Sequence, residues 1–138
     1  MTAQHHHTAP SGLTKNQTLV YGALSHAGEP LSAYAILDRL RDKGLRAPLQ
    51  VYRALDKLIE FGLIHRLESL NSFVACQHPE CGNRESMVFT ICESCGKVSE
   101  VADDMVEKQL KHLATRDGFV MTSSIIELRG YCRRCSAG

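Results

Sequence analysis

Two short motifs, Cys92-Glu93-Ser94-Cys95 and Cys132-Arg133-Arg134-Cys135, constrain this chain more than any other feature. Each is a C-x-x-C, which brings two sulfurs to one point of the backbone. Four thiolates delivered as two pairs suit a tetrahedral zinc ion, which favours sulfur and imposes no geometry of its own. The gap between the pairs is longer than in a compact zinc ribbon. One ion would therefore pin two distant segments around whatever folds between them. The competing reading, a redox dithiol, normally uses one such pair in a thioredoxin-like context that these flanks do not offer. Six cysteines in a secreted chain of 138 residues would suggest disulfides. No signal-like stretch precedes the first helical pattern, so the expectation is a reducing, cytoplasmic setting and a structural zinc on Cys92, Cys95, Cys132 and Cys135.

Length allows one domain or two small ones. No run of about 18 apolar residues occurs, so no membrane span is expected. Residues 1–12, with His5-His6-His7 inside them, are polar and unpatterned and read as a disordered tail able to hold metal only loosely. The formal net charge is +1, unevenly spread. Residues 13–75 carry eight Lys/Arg against six Asp/Glu, and residues 76–138 carry eight against nine. Four thiolates around zinc would make the second half more negative still. The weak asymmetry points to the N-terminal half as the face for an anionic partner.

Thr14 and Gln17 form a capping box for a first helix that runs to Ala27-Gly28, with Leu19, Val20, Ala23 and Leu24 inward. Ser32 caps a second helix, with Ile36, Leu37 and Leu40 inward and Lys43-Gly44 at its end. Pro48 opens a third, where its missing N–H costs nothing. Val51, Leu55, Leu58 and Ile59 form its inner stripe, and Gln50, Arg53, Ala54 and Lys57 its outer face. Residues 63–67 and 72–76 alternate in hydropathy around Leu70-Asn71, the pattern of a hairpin.

Three short helices closed by a hairpin are the pattern of a winged helix-turn-helix, whose third helix enters the DNA major groove. Arg53 can bond guanine bidentately and Gln50 adenine, while Lys15, Arg46 and Lys57 suit phosphates. An ordinary solvated helix face would carry similar charge.

Beyond Cys76, residues 76–86 read as a hinge and loop. A strand over 87–91 runs into the first knuckle, and 98–101 return as a second. Asp103 caps a helix ended by Gly118, and residues 119–122 and 124–128 are β-rich. The expected fold class is α+β: an N-terminal winged helix-turn-helix domain over 13–75, and a small C-terminal α/β dimerisation domain over 87–138 with a four-cysteine zinc site. Val106, Leu110, Leu113, Ile125 and Leu128 exceed the apolar needs of so small a lobe, which points to a symmetric homodimer.

From about Leu13 to Cys135 the chain resembles the ferric uptake regulator family, and within it the zinc-sensing branch. The marks are residues 51–55 in helix three, residues 68–76 in the wing, and the two knuckles. The resemblance implies a homodimeric DNA-binding repressor, no enzyme, no small organic substrate, and two zinc ions per chain. One is structural, on the four knuckle cysteines. The other is regulatory and lies at the hinge, with ligands matching His65, Cys76, Glu100 and a loop residue.

A loop histidine is expected near Glu85 in the family pattern and is absent here. His78 is favoured, because it would share a strand face with Cys76 at i, i+2, and Cys81 is the alternative. A lone wing histidine or a lone cysteine is more often solvated or a small core residue, so convergence carries this site. A thiolate ligand favours zinc over ferrous iron, although sibling sensors of iron or peroxide remain the nearest rivals. The resemblance also implies that Tyr34 and Arg53 lie on or near bases, and Tyr52, which belongs with Arg53 to the matching motif, is counted among the DNA-binding residues. It further implies that Asp38 and Arg41 pair two dimers side by side on one operator; the bland alternative is a surface i, i+3 pair.

Overall fold

The computed structural model describes residues 12–77 and 86–137. The tail histidines His5, His6 and His7 and the loop candidates His78 and Cys81 lie outside them. The chain divides into two compact units, Met1–Cys76 and Gln77–Gly138.

In the first unit, α1 spans Lys15–Ala27. The Thr14 hydroxyl accepts from the Gln17 N–H at 3.2 Å, and the Gln17 carboxamide accepts from the Thr14 N–H at 3.0 Å. Both satisfy donors that a helix start leaves orphaned. Helix α2 spans Ala33–Leu40 and is capped by Ser32, whose hydroxyl accepts from Ala35 N–H at 3.1 Å. The second helix was expected to run on to Lys43. Instead Arg41–Lys43 tighten into a 3-10 turn before Gly44, whose φ of +103° a side chain would resist.

Helix α3 spans Pro48–Glu60 and buries Val51, Ala54, Leu55 and Leu58. Ile59 was expected inside and is 38% exposed, while Ala54, expected outside, is buried. Four residues spaced i, i+3, i+4, i+7 share one face, whereas Ile59, eight positions from Val51, sits about 80° around the cylinder.

Ile36, Leu37, Leu55 and Leu58 are almost completely buried in the core of this unit. Each contributes about 1.5–3 kcal/mol through removal of apolar surface from water. Leu45, just before α3, is fully buried with them.

The wing pairs β1, Ile64–Leu67, antiparallel with β2, Ser72–Ala75. A 3-10 turn at Glu68–Leu70 and Asn71, at φ +46°, reverse the chain; Asn tolerates this region better than most residues. Leu31 forms an isolated antiparallel bridge to Phe73 on β2. Its N–H donates to Phe73 O at 3.0 Å, and Phe73 N–H donates back at 2.8 Å.

The second unit is a three-stranded sheet in the order β4-β3-β5. Strand β3, Ser86–Cys92, lies in the middle and is buried along most of its length. Strand β4, Val98–Val101, pairs with it antiparallel and β5, Ser124–Gly130, parallel. Helix α4, Asp104–Arg116, makes the crossover that a parallel pair requires, capped by Asp103. Residues 119–122, expected to be β-rich, are irregular. Phe119 N–H bonds back to Ala114 O at 2.8 Å, closing the helix rather than entering the sheet. A short α5, Arg133–Ser136, carries the last cysteine. Among the described residues no helix is long and apolar enough to cross a membrane.

Candidate metal centres and nucleic-acid face

The ends of β3 and β5 deliver the two knuckles to one place. Glu93 N–H donates to Gly130 O at 2.7 Å, which latches the strands just where the cysteines begin. Gly96, at φ +76°, allows the first knuckle to turn, and Cys92 N–H then bonds Lys97 O at 2.9 Å.

The sulfurs of Cys92, Cys95, Cys132 and Cys135 all lie within 4.8 Å of one another. A zinc–sulfur bond of about 2.3 Å gives a tetrahedron with edges of about 3.8 Å. Cys95 Sγ and Cys132 Sγ are 3.8 Å apart. The donor set, its number and its spacing fit zinc.

The backbone prepares the thiolates. Cys92 Sγ accepts N–H bonds from Cys95 at 3.5 Å and Cys132 at 3.4 Å. Those donors hold Cys92 well below the ordinary thiol value, at about 6. The backbone of Cys135 lowers Cys132 in the same way. At Cys135 the Ser94 hydroxyl pulls downward, but the neighbouring sulfurs of Cys132 and Cys92, with burial, outweigh it and push the thiol up to about 12. Without metal, one sulfur of the cluster keeps its proton while another gives its proton up, a division expected of packed sulfurs that cannot all ionise together.

The regulatory candidates are distributed over both units. His65 on β1 and Cys76 just after β2 are both buried in the first unit, with ligand atoms within 4.8 Å of each other. Cys76 is disulfide-bonded, whereas Cys92, Cys95, Cys132 and Cys135 are free thiols. Only a reduced, ionised Cys76 can bind metal. Glu100 lies on β4 of the second unit, where its carboxylate accepts from Gln77 N–H at 3.1 Å.

The nucleic-acid candidates all lie in the first unit. Lys15 opens α1, Tyr34 on α2 is 62% exposed, and Tyr52 on α3 is 41% exposed. Arg53 lines an open groove between the start of α1 and the outer face of α3, together with Gln17, Gln50 and Lys57. Among the described residues Arg53 has no carboxylate partner, whereas Lys57 reaches Glu60 at 3.2 Å.

Gln50 has work of its own. Its side-chain oxygen accepts from Arg46 N–H at 3.1 Å and from Ala47 N–H at 3.2 Å, which caps the start of α3. Only its amide NH2 remains to offer to a base. Leu49 at the same end is 57% exposed. Its one signal is an apolar residue off the buried stripe, suited to a thymine methyl. Asp38 and Arg41 bond each other at 3.1 Å on an exposed helix face.

Three helices with a wing, followed by an α/β unit whose strand ends bring four sulfurs together, define a winged-helix protein with a candidate metal centre. The ferric uptake regulator family model matches residues 12–129. The zinc uptake regulation protein of Escherichia coli K12 is 39% identical over 124 residues, covering 89% of this chain and 72% of that protein. Among solved structures, holo XcZur matches with a TM-score of 0.82 at 39% identity, covering 91% of this chain and 87% of that one. A zinc uptake regulator complexed with zinc and DNA matches with a TM-score of 0.80 at 36% identity, covering 91% and 83%. The chain belongs to the ferric uptake regulator family.

Proposed function

We propose that this chain is a zinc-responsive, DNA-binding transcriptional repressor of zinc-uptake genes, acting in the cytoplasm as a homodimer with two zinc ions per subunit. The observation that carries the reading is the four-cysteine cluster, of zinc-matching size, in a chain so similar to a regulator solved with zinc and DNA. The first domain, over 13–75, binds the operator; the second, over 87–138, holds the structural zinc and the dimer contact. Support for the dimer comes from α4, which buries none of its residues, and from the exposure of Leu113, Ile125 and Leu128.

In this reading His65, Cys76 in its reduced form and Glu100 hold the regulatory zinc with one residue of the loop, His78 in preference to Cys81. The closeness of His65 and Cys76 supports it. A thiolate, an imidazole and a carboxylate form a donor set suited to zinc. A ligand set drawn from both sides of the hinge fixes the distance between the two recognition helices, which must meet major grooves about 34 Å, or a multiple, apart. Without the ion the hinge must be ordered at the expense of binding, and couplings of roughly 1–3 kcal/mol are typical of such linkage.

Arg53, Gln50, Tyr34 and Tyr52 face bases in this reading, and Lys15, Arg46 and Lys57 face phosphates. Two dimers meet on one operator through Asp38 and Arg41. No catalysis is assigned: four sulfurs close the first centre, whereas catalytic zinc keeps an open position.

The test is binding of a labelled promoter duplex under chelator-buffered zinc, compared with ferrous iron and manganese. The reading expects zinc alone to bring tight binding. Equal activation by iron would make the chain a sibling iron sensor, and the absence of specific binding with any metal would remove the DNA-binding reading.

A further inference from the structure

The four-cysteine centre has a charge that its surroundings must answer. Four thiolates around one divalent ion leave a net charge of about minus two. On one side of the cluster lies a cavity of about 500 Å3 lined by Cys95, Cys132 and Cys135 and by three cations, Lys97, Arg133 and Arg134. Among the described residues no carboxylate lines it. None of the three cations has an ion-pair partner among the described residues, and all are exposed.

The other charges nearby fit the same pattern. Arg133 and Arg134 are the two middle residues of the second C-x-x-C, and Lys97 follows Cys95 by two positions. The first C-x-x-C carries the one acid of the two motifs, Glu93. Its carboxylate is met by Arg129 at 3.9 Å, which offsets that negative charge. An exposed cation left without an acid, three times over around one sulfur cluster, has the centre itself as its counter-ion.

We propose that Lys97, Arg133 and Arg134 form a cationic rim that compensates the zinc–tetrathiolate charge and slows loss of the structural ion. They are positioning and electrostatic residues; they do not ligate. The inference rests on the four cysteines holding zinc, which is part of the proposed function. At about 6–8 Å in a water-like medium, a unit charge beside a dianion changes the equilibrium roughly fivefold to tenfold per cation. Because the rim is exposed, salt must weaken the effect.

The experiment follows zinc leaving the full-length, zinc-loaded protein for an excess of an uncharged chelator, since an anionic chelator would itself be drawn by the rim. The slow phase of release reports the four-cysteine centre, and total zinc per chain is measured first. Absence of a slow phase, with fewer zinc ions than chains, would fail the zinc assignment itself rather than the rim. The proposal expects Arg133→Gln with Arg134→Gln to speed the slow phase by roughly tenfold or more. The Arg133→Lys, Arg134→Lys protein, which keeps the charge, should stay near the unmodified rate. In the unmodified protein the slow phase should quicken as salt is raised, with a flatter response in the Gln protein. The salt series needs no variant to fold. An unmodified protein whose release ignores salt, Gln variants that release at the unmodified rate, or Lys variants that release as fast as Gln would each overturn the proposal.

Discussion

Gln50 caps the start of α3 and, in the proposed function, also meets a base, and two substitutions separate those roles. Its carboxamide oxygen accepts from Arg46 and Ala47 N–H at 3.1 and 3.2 Å, four and three positions away, at the start of α3. Both bonds are exposed. Exposed neutral hydrogen bonds contribute about 0.5–1.5 kcal/mol each, and loss of a helix cap costs about 1 kcal/mol. Water can replace part of both bonds, so Gln50→Ala should destabilise the first unit by about 1 kcal/mol. For a domain of this size that lowers Tm by roughly 4–8 °C.

Gln50→Glu keeps both acceptor bonds and places a negative charge near a helix N-terminus, where the dipole favours it. It should melt at or slightly above the unmodified temperature. The carboxylate has no N–H to offer, so any adenine contact is lost in both variants. Thermal unfolding by circular dichroism, paired with titration against operator duplexes changed one base pair at a time, reads the two effects separately. If Gln50→Ala melts like the unmodified chain, or Gln50→Glu melts as low as the alanine variant, the capping argument fails.

Arg53→Ala should weaken operator binding by about 1–3 kcal/mol and relax preference at one base pair; a uniform loss across all sequences would make Arg53 a phosphate contact instead. Cys92→Ser removes a ligand from a site whose apparent folding contribution is about 10–16 kcal/mol, more than a small unit can spare. The second unit should lose its sheet signal by hydrogen exchange, and a folded, dimeric, zinc-free variant would refute the structural role. Cys76→Ser should keep fold and structural zinc while losing zinc-dependent operator binding, a drop of roughly 5–150-fold at saturating zinc; an unchanged zinc titration would count against the ligand.

Proton release tests the cluster. A Cys92 held at about 6 is already thiolate near neutral pH, so zinc uptake there should release fewer than one proton per cysteine, as read with an indicator dye. In the metal-free chain, the depressed Cys92 value contributes stability that is complete above its ordinary 9.0 and fades as pH falls through about 6. Release of one proton from every sulfur of the centre would contradict this.

Much of the fold could be read from short-range chemistry. Thr14, Ser32 and Asp103 cap their helices because their side chains reach N–H groups two or three residues on, and Gly28 and Gly44 end segments through left-handed backbone. The two C-x-x-C motifs announced a metal centre because ligand spacing is local, and only the approach of the motifs to each other needed the parallel β3–β5 pairing. Long-range pairing stayed hidden. Leu31 joins Phe73 across 42 positions, and no pattern around Leu31 signals a strand rung. Residues 119–122 have strand-like composition, but the Phe119 bond to Ala114 commits them to finishing α4. Gln50 looked like a free polar group because nothing in the sequence says that its oxygen turns back to the loop. His65 and Cys76 became suggestive only through the family pattern, since their closeness depends on hairpin register and on where the chain goes after β2.

The most direct test of the central claim is operator affinity measured across a buffered free-zinc series, with zinc per chain counted at each point. The account predicts weak binding at one zinc per chain, and a sharp rise as the second site fills. Full affinity already present at one zinc per chain, or a second ion that fills without changing affinity, would contradict it.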